Sequence, residues 1–225
     1  MQTILMPNVT SGDEVVKALN LLLHDLRTPV SVAQGYLRLL LEDRLTDTKD
    51  RQRALAQSMD ALGRIGELCA GAGEFANDAV TPAQAHRYQA VELITALTAE
   101  AHAKGLIISV QDSLPIGYLR SLVPTQAAAA IATIMRAALR NDASQPPEIS
   151  TGLNAAGLLV TSGNAAIRAR LIAPTGHDIF NPWRGGNGLL VPLAAKQLGE
   201  TGARVWTLAG EPFAVAVAIP LELEA

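Results

Sequence analysis

Cysteine is nearly missing from this chain. Cys69 stands alone among 225 residues, so no intramolecular disulfide can form, which suits a reducing compartment. Aromatic residues are scarce too, at 4% against 49% hydrophobic residues, so a core must be built from Ala, Leu, Val and Ile. No apolar run approaches the ~20 residues that a membrane-crossing helix needs. The longest, near residues 127–135 and 213–219, are too short. The opening MQTILMPNVTSGDE has neither a basic flank nor a long apolar segment, so no signal peptide is expected. An excess of positive charge is also lacking: 18 Lys and Arg stand against 21 Asp and Glu, and a formal net charge of -3 argues against a general nucleic-acid binder. These absences predict a soluble cytoplasmic protein with no membrane or nucleic-acid partner, one that receives any signal through another protein. The length allows one large domain or two small ones.

What is present begins with heptad spacing. Leu19, Leu26, Ala33 and Leu40 fall seven apart, and Val15, Leu22 and Tyr36 form a companion seam, which predicts a helix from about Asp13 to Glu42. Ser11 or Gly12 can cap its start, and Asp13 and Glu14 suit the positive end of the helix dipole. Asp43–Lys49 breaks the pattern. A second helix is predicted from about Asp50 to Asn77, with Leu55, Leu62, Cys69 and Ala76 on one seam and Ile65 and Ala72 on the other. Its glycines, Gly63, Gly66, Gly71 and Gly73, weaken the helix but let a neighbour come close. Two antiparallel helices cannot bury both apolar stripes by themselves. A homodimer that pairs two hairpins into a four-helix bundle solves this, and a hairpin packed on its own second domain is the alternative.

The first helix carries His24-Asp25-Leu26-Arg27-Thr28-Pro29. His24 sits two residues past the seam position Leu22 and so points outward, on a polar stripe that continues through Thr28, Ser31, Gly35 and Arg38, with Arg27 beside it. A solvated surface histidine is the ordinary reading of such a position. Two features favour chemistry instead. Pro29 stands mid-helix, where it removes a hydrogen bond and frees the carbonyl of Asp25. Asp25 can orient the imidazole, and Thr28, one turn on, can reach a group held on it.

The segment HDLRTPVSVAQGYLRLLLED resembles the H box of sensor histidine kinases, the phosphoacceptor helix of their dimerisation and histidine-phosphotransfer domain. The resemblance implies that His24 is phosphorylated, that Asp25 assists it, and that Thr28 helps place water for dephosphorylation. The remaining chain is similar, more weakly, to the ATP-binding domain of that family, an α/β sandwich with helices on one face of a mixed sheet. Helices are predicted at Val91–Lys104, Thr125–Arg140 and Leu189–Leu198. Strands are predicted at Leu106–Gln111, Ile116–Leu122, Glu148–Thr151, Gly157–Thr161, Ala203–Leu208 and Ala214–Ile219. Ile179-Phe180-Asn181-Pro182-Trp183 resembles the phenylalanine box, Gly186-Asn187-Gly188-Leu189 the last glycine-rich box, and AVAVAIPL the final strand. The fold class is therefore α+β. Residues 1–82 are expected to form the dimerising phosphotransfer hairpin, and 83–225 a degenerate ATP-binding-like α/β sandwich.

The resemblance fails where nucleotide would bind. Ala137 stands where the magnesium-binding Asn is expected, and a register using Asn141 leaves too few residues before the strand at Ile149. Ser162 replaces the adenine-reading Asp, Asn164 and Ala166 replace glycines, and Leu190 replaces the third glycine of the last box, with Pro192 shortly after. A triphosphate needs a metal and donors to offset its charge, so the joint loss predicts that ATP is not bound. Gly185, Gly186 and Gly188 ahead of a helix can hold an anion, but a structural turn is the simpler reading. His86, His102 and His177 have no partners at metal spacing and read as ordinary surface or loop residues.

A kinase-like architecture with an intact phosphoacceptor and a lost nucleotide site resembles the dimeric histidine phosphotransferases of phosphorelays. The resemblance implies a phosphocarrier that passes phosphoryl groups between His24 and the Asp of response-regulator receiver domains. Arg27, Ser31 and Arg38 would steady the phosphoryl group or meet the receiver. No cofactor of its own is expected, and the Mg²⁺ would belong to the receiver. Two alternatives stay open: a non-catalytic pseudokinase that dimerises and binds a receiver or kinase, and a divergent ATP-dependent kinase.

Overall fold

The computed structural model describes residues 11–78, 86–110, 117–140, 148–155, 157–163, 165–171, 188–208 and 211–223. They fall into two compact units. The first comprises the chain through Asn77 together with Gly185–Leu189; the second comprises Asp78–Arg184 and Leu190–Ala225. The boundary expected at residue 82 lies outside the described residues.

The first unit is a helical hairpin of α1 (Ser11–Leu41) and α2 (Thr48–Asp78). Acidic side chains stand in both first turns, Asp13 and Glu14 in α1 and Asp50 in α2, where they meet the positive helix end. The α1 helix ends in a Schellman closure: Arg44 N–H donates to the Leu39 carbonyl at 3.0 Å, and Asp43 N–H to the Leu40 carbonyl at 3.3 Å. Asp43 takes the left-handed position itself, with φ 50. Pro29 lies inside α1 and is buried, and the helix continues through it.

One face of each helix is buried: Ala18, Leu21, Pro29 and Ala33 on α1, and Ala54, Ser58, Ala61 and Leu68 on α2. Ser58 can be buried because its hydroxyl donates to the Ala54 carbonyl at 2.9 Å. The seam anticipated from heptad counting differs. Val15, Leu19, Leu55 and Leu62 are exposed large hydrophobics and Cys69 is exposed, alongside Val16, Leu23 and Met59. The apolar stripe is wider than one buried face: of the seam residues Ala33 is buried, while Leu22, Leu26, Tyr36, Leu40 and Ile65 are half-buried.

The second unit holds α3 (Ala90–Ala103), α4 (Pro124–Arg140), α5 (Ala165–Leu171) and α6 (Leu190–Glu200). Its main sheet is mixed. The order is β2 (Ile107–Ser109), β4 (Glu148–Asn154), β5 (Gly157–Ser162), β7 (Glu211–Ile219), β6 (Arg204–Leu208). The β2–β4 pair is parallel and the other pairs are antiparallel. A small antiparallel sheet joins β1 (His86–Gln89), β3 (Gly117–Ser121) and β8 (Leu221–Leu223). Period-two alternation along β7 divides the core. Val215, Val217 and Ile219 join Leu158 and Val160 beneath α3, α4 and α6, while Ala214, Ala216 and Ala218 face the other side.

That other side corrects the expected one-sided sandwich. Ile167 and Leu171 of α5 pack there with Leu159, Trp206 and Leu208. The alanines of β7 leave room for the Trp206 indole, whose Cα partner across the sheet is Ala216. On the first side, alanine-rich α4 starts with Pro124, well placed at the first helical position, and fully buries Ala127, Ala128, Ile131, Ile134 and Met135.

Candidate functional site

An α-helix turns about 100° per residue, so neighbours in sequence face different surroundings. On α1 this separates His24 from Asp25. The buried face defined by Leu21 and Pro29 takes in the Asp25 side chain, which is 8% exposed, while the His24 side chain is 75% exposed. The two stay in contact, with His24 Nδ1 and Asp25 Oδ1 3.1 Å apart. A carboxylate accepts hydrogen bonds, so this contact suits the tautomer with its proton on Nδ1 and its lone pair on Nε2. The other carboxylate oxygen is also engaged: within the same unit, the main-chain N–H of Gly188 donates to Asp25 Oδ2 at 2.9 Å.

Arg27, Thr28 and Ser31 are exposed and follow His24 within two turns on the same outward stripe. Arg38 is exposed as well, but it lies about 21 Å further along the helix axis. Neither guanidinium is tied to a carboxylate among the described residues. The structure thus gathers His24, Asp25, Arg27, Thr28 and Ser31 in one neighbourhood and leaves Arg38 at a distance.

The positions read as a nucleotide site look different from one another. Ala137 lies half-buried on α4 and presents a methyl group. Ser162, at the end of β5, is fully buried; its hydroxyl accepts the Val215 N–H at 2.8 Å and donates to the Val215 carbonyl at 3.3 Å. Those bonds commit it to strand β7. Ala166 is exposed on α5, Leu190 is exposed at the start of α6, and Pro192 is buried in that helix's first turn. Asn141, Asn164, His177, the segment Ile179–Trp183 and the glycines Gly185 and Gly186 lie outside the described residues. His86 and His102 are exposed, on β1 and α3. Among the described residues no group of three or more His, Cys, Asp or Glu could hold a metal ion, and no helix is long and apolar enough to cross a membrane.

Sequence reasoning did not find the Asp25–Gly188 bond. Its two ends are far apart in the chain, and the one available signal was a glycine assigned to a turn. A positive φ of 58 at Gly188 is the feature that such a residue type permits.

Residues 17–70 match the family model of the His Kinase A (phospho-acceptor) domain. The chain is similar to histidine kinase ThkA, solved in complex with response regulator protein TrrA. The TM-score is 0.57 at 13% identity, with 98% of this chain and 68% of that chain covered. It is also similar to Acinetobacter baumannii histidine kinase AdeS, with TM-score 0.48, 13% identity, and 90% and 98% covered. Comparison with curated proteins found no match. The fold, a helical hairpin followed by an α/β unit, is similar to that of histidine kinase ThkA, and the hairpin carries the match to the His Kinase A (phospho-acceptor) domain model.

Proposed function

We propose that this chain is a histidine phosphotransfer protein, a phosphocarrier between receiver domains of a two-component phosphorelay that does not bind ATP. The observation that carries the reading is the exposed imidazole of His24, held through Nδ1 by a carboxylate that is itself nearly buried. In this mechanism Nε2 attacks the phosphorus of a receiver's aspartyl phosphate. The N–P bond forms, the P–O bond to the Asp breaks, and that Asp leaves as a free carboxylate. The Nδ1 proton stays on the ring, and Asp25 stabilises the resulting cation. The reverse step delivers the group to a second receiver. Arg27 offsets charge on the phosphoryl group, and Thr28 contacts it or a water. Ser31 and the more distant Arg38 contact the receiver surface. The receiver supplies the Mg²⁺. A second copy of the chain covers the apolar face of Val15, Leu19, Leu23, Leu55, Met59 and Leu62, completing a four-helix bundle.

Support for transfer without ATP comes from Ala137, which offers a metal no ligand, and from Ser162, whose hydroxyl is spent on β7. The same two residues favour, as a second reading, a pseudokinase that binds a receiver without chemistry. Incubation with a ³²P-labelled receiver separates them. Label is expected on wild-type protein and not on His24→Ala; label that never arrives, or reaches the variant equally, overturns the relay reading. Titration with ATP and Mg²⁺ tests the divergent-kinase alternative, and no saturable binding is expected at millimolar nucleotide.

A further inference from the structure

We propose that Gly188 is a positioning residue for His24, acting through the Asp25 carboxylate. The proposal deepens the phosphotransfer reading and rests on it for its catalytic consequence. Both oxygens of Asp25 are engaged: Oδ1 meets His24 Nδ1 at 3.1 Å, and Oδ2 accepts the Gly188 N–H at 2.9 Å. A carboxylate fixed at one oxygen cannot spin freely about its last torsion. The main-chain donor therefore holds Oδ1 toward the imidazole, and Oδ1 in turn holds the proton on Nδ1. Such support behind a reacting group sets its tautomer and orientation without touching the substrate.

The local backbone is shaped for this task. Gly188 has φ 58, in the left-handed region, and a Cβ built on it would stand 2.6 Å from Leu68 Cδ2. Leu68 is itself buried, at 4% exposure, so that methyl has little room to withdraw. Both conditions select glycine: one by backbone conformation, the other by space. An added side chain is expected to displace the N–H from Asp25 unless Leu68 gives way. The arrangement uses a donor that carries no side chain and is invisible to a search for polar residues.

Two measurements on the full-length protein test the idea. In the first, ¹⁵N spectra of the histidine rings report the His24 tautomer, assigned by comparison with His24→Ala. The wild type is expected to hold the proton on Nδ1. Gly188→Ala is expected to shift the ring toward the Nε2–H form and to slow phosphoryl transfer roughly tenfold, as for loss of one charge-assisted hydrogen bond. The double variant Gly188→Ala/Leu68→Ala relieves the methyl contact and should recover part of both signals. In the second, amide hydrogen exchange of Gly188 is compared in wild type and Asp25→Ala; protection is expected to fall at this amide in the variant. This arm needs no change at Gly188 and stands even where Gly188→Ala fails to fold. An unchanged tautomer in folded Gly188→Ala, or equal Gly188 exchange in Asp25→Ala, overturns the proposal. Wild-type protein that never accepts phosphoryl defeats the relay reading, while the tautomer and exchange results still decide the role of Gly188.

Discussion

A single hydroxyl, at a position expected from the sequence to face nucleotide, is tied into the scaffold. Ser162 Oγ both accepts from and donates to Val215, at 2.8 and 3.3 Å, in a fully buried setting. Removing it takes away the partner of the Val215 N–H and one donor to its carbonyl. Ser162→Ala is expected to lower unfolding free energy by about 2 kcal/mol, the scale of a buried group left unsatisfied. Urea denaturation measures this directly. Ser162→Asp should be worse, because the larger carboxylate would meet the Val215 carbonyl away from water. That variant is expected to lose stability without gaining nucleotide affinity, as followed by thermal shift with and without ATP and Mg²⁺. His24 presents the opposite case: its side chain is 75% exposed, which is what a visiting partner requires.

Elements end here by a shared device with different residues. α3 closes as α1 does: Leu106 N–H donates to the Ala101 carbonyl at 2.8 Å and Gly105 N–H to the His102 carbonyl at 3.0 Å. Gly105 has φ 68, and nothing lies within 4 Å of where its Cβ would be. Gly105→Ala therefore isolates the backbone cost of the left-handed position, and a loss of about 1 kcal/mol is expected by chemical denaturation. The long helices were legible because their apolar repeats persist over many turns, and the buried strands because Val, Ile and Ala runs are bounded by glycine or polar turns. Elements that escaped notice are short. β1 is four mostly polar residues, β8 is three, and α5 spans Ala165–Leu171 with only Ile167 and Leu171 as buried anchors. Each exists through pairing or packing with distant segments, which local periodicity does not report. His24, Asp25 and Thr28 were legible because they lie within one helical turn of one another; Gly188 was not, because its link to Asp25 exists only after folding.

At the scale of the whole molecule, the hairpin has more apolar surface than it buries. Val15 and Met59 are 63% and 67% exposed, and Leu19, Leu23, Leu55 and Leu62 are exposed beside them. Helices that leave such a stripe in water gain by pairing it, at roughly 25 cal/mol for each Å² of apolar surface removed. On α1 the stripe lies between the buried face and the polar stripe of His24, Thr28 and Ser31, so pairing through it leaves the imidazole open. A charge placed in the stripe should act differently from a charge beside it. Leu19→Glu/Leu62→Glu is expected to convert a dimer to a monomer in analytical ultracentrifugation, because unpaired carboxylates would be buried between copies. Ser31→Glu, on the polar stripe, should leave the sedimentation coefficient unchanged and instead weaken binding of a receiver. A wild-type protein that sediments as a monomer at tens of micromolar, or a double variant that remains dimeric, would remove this face from the assembly.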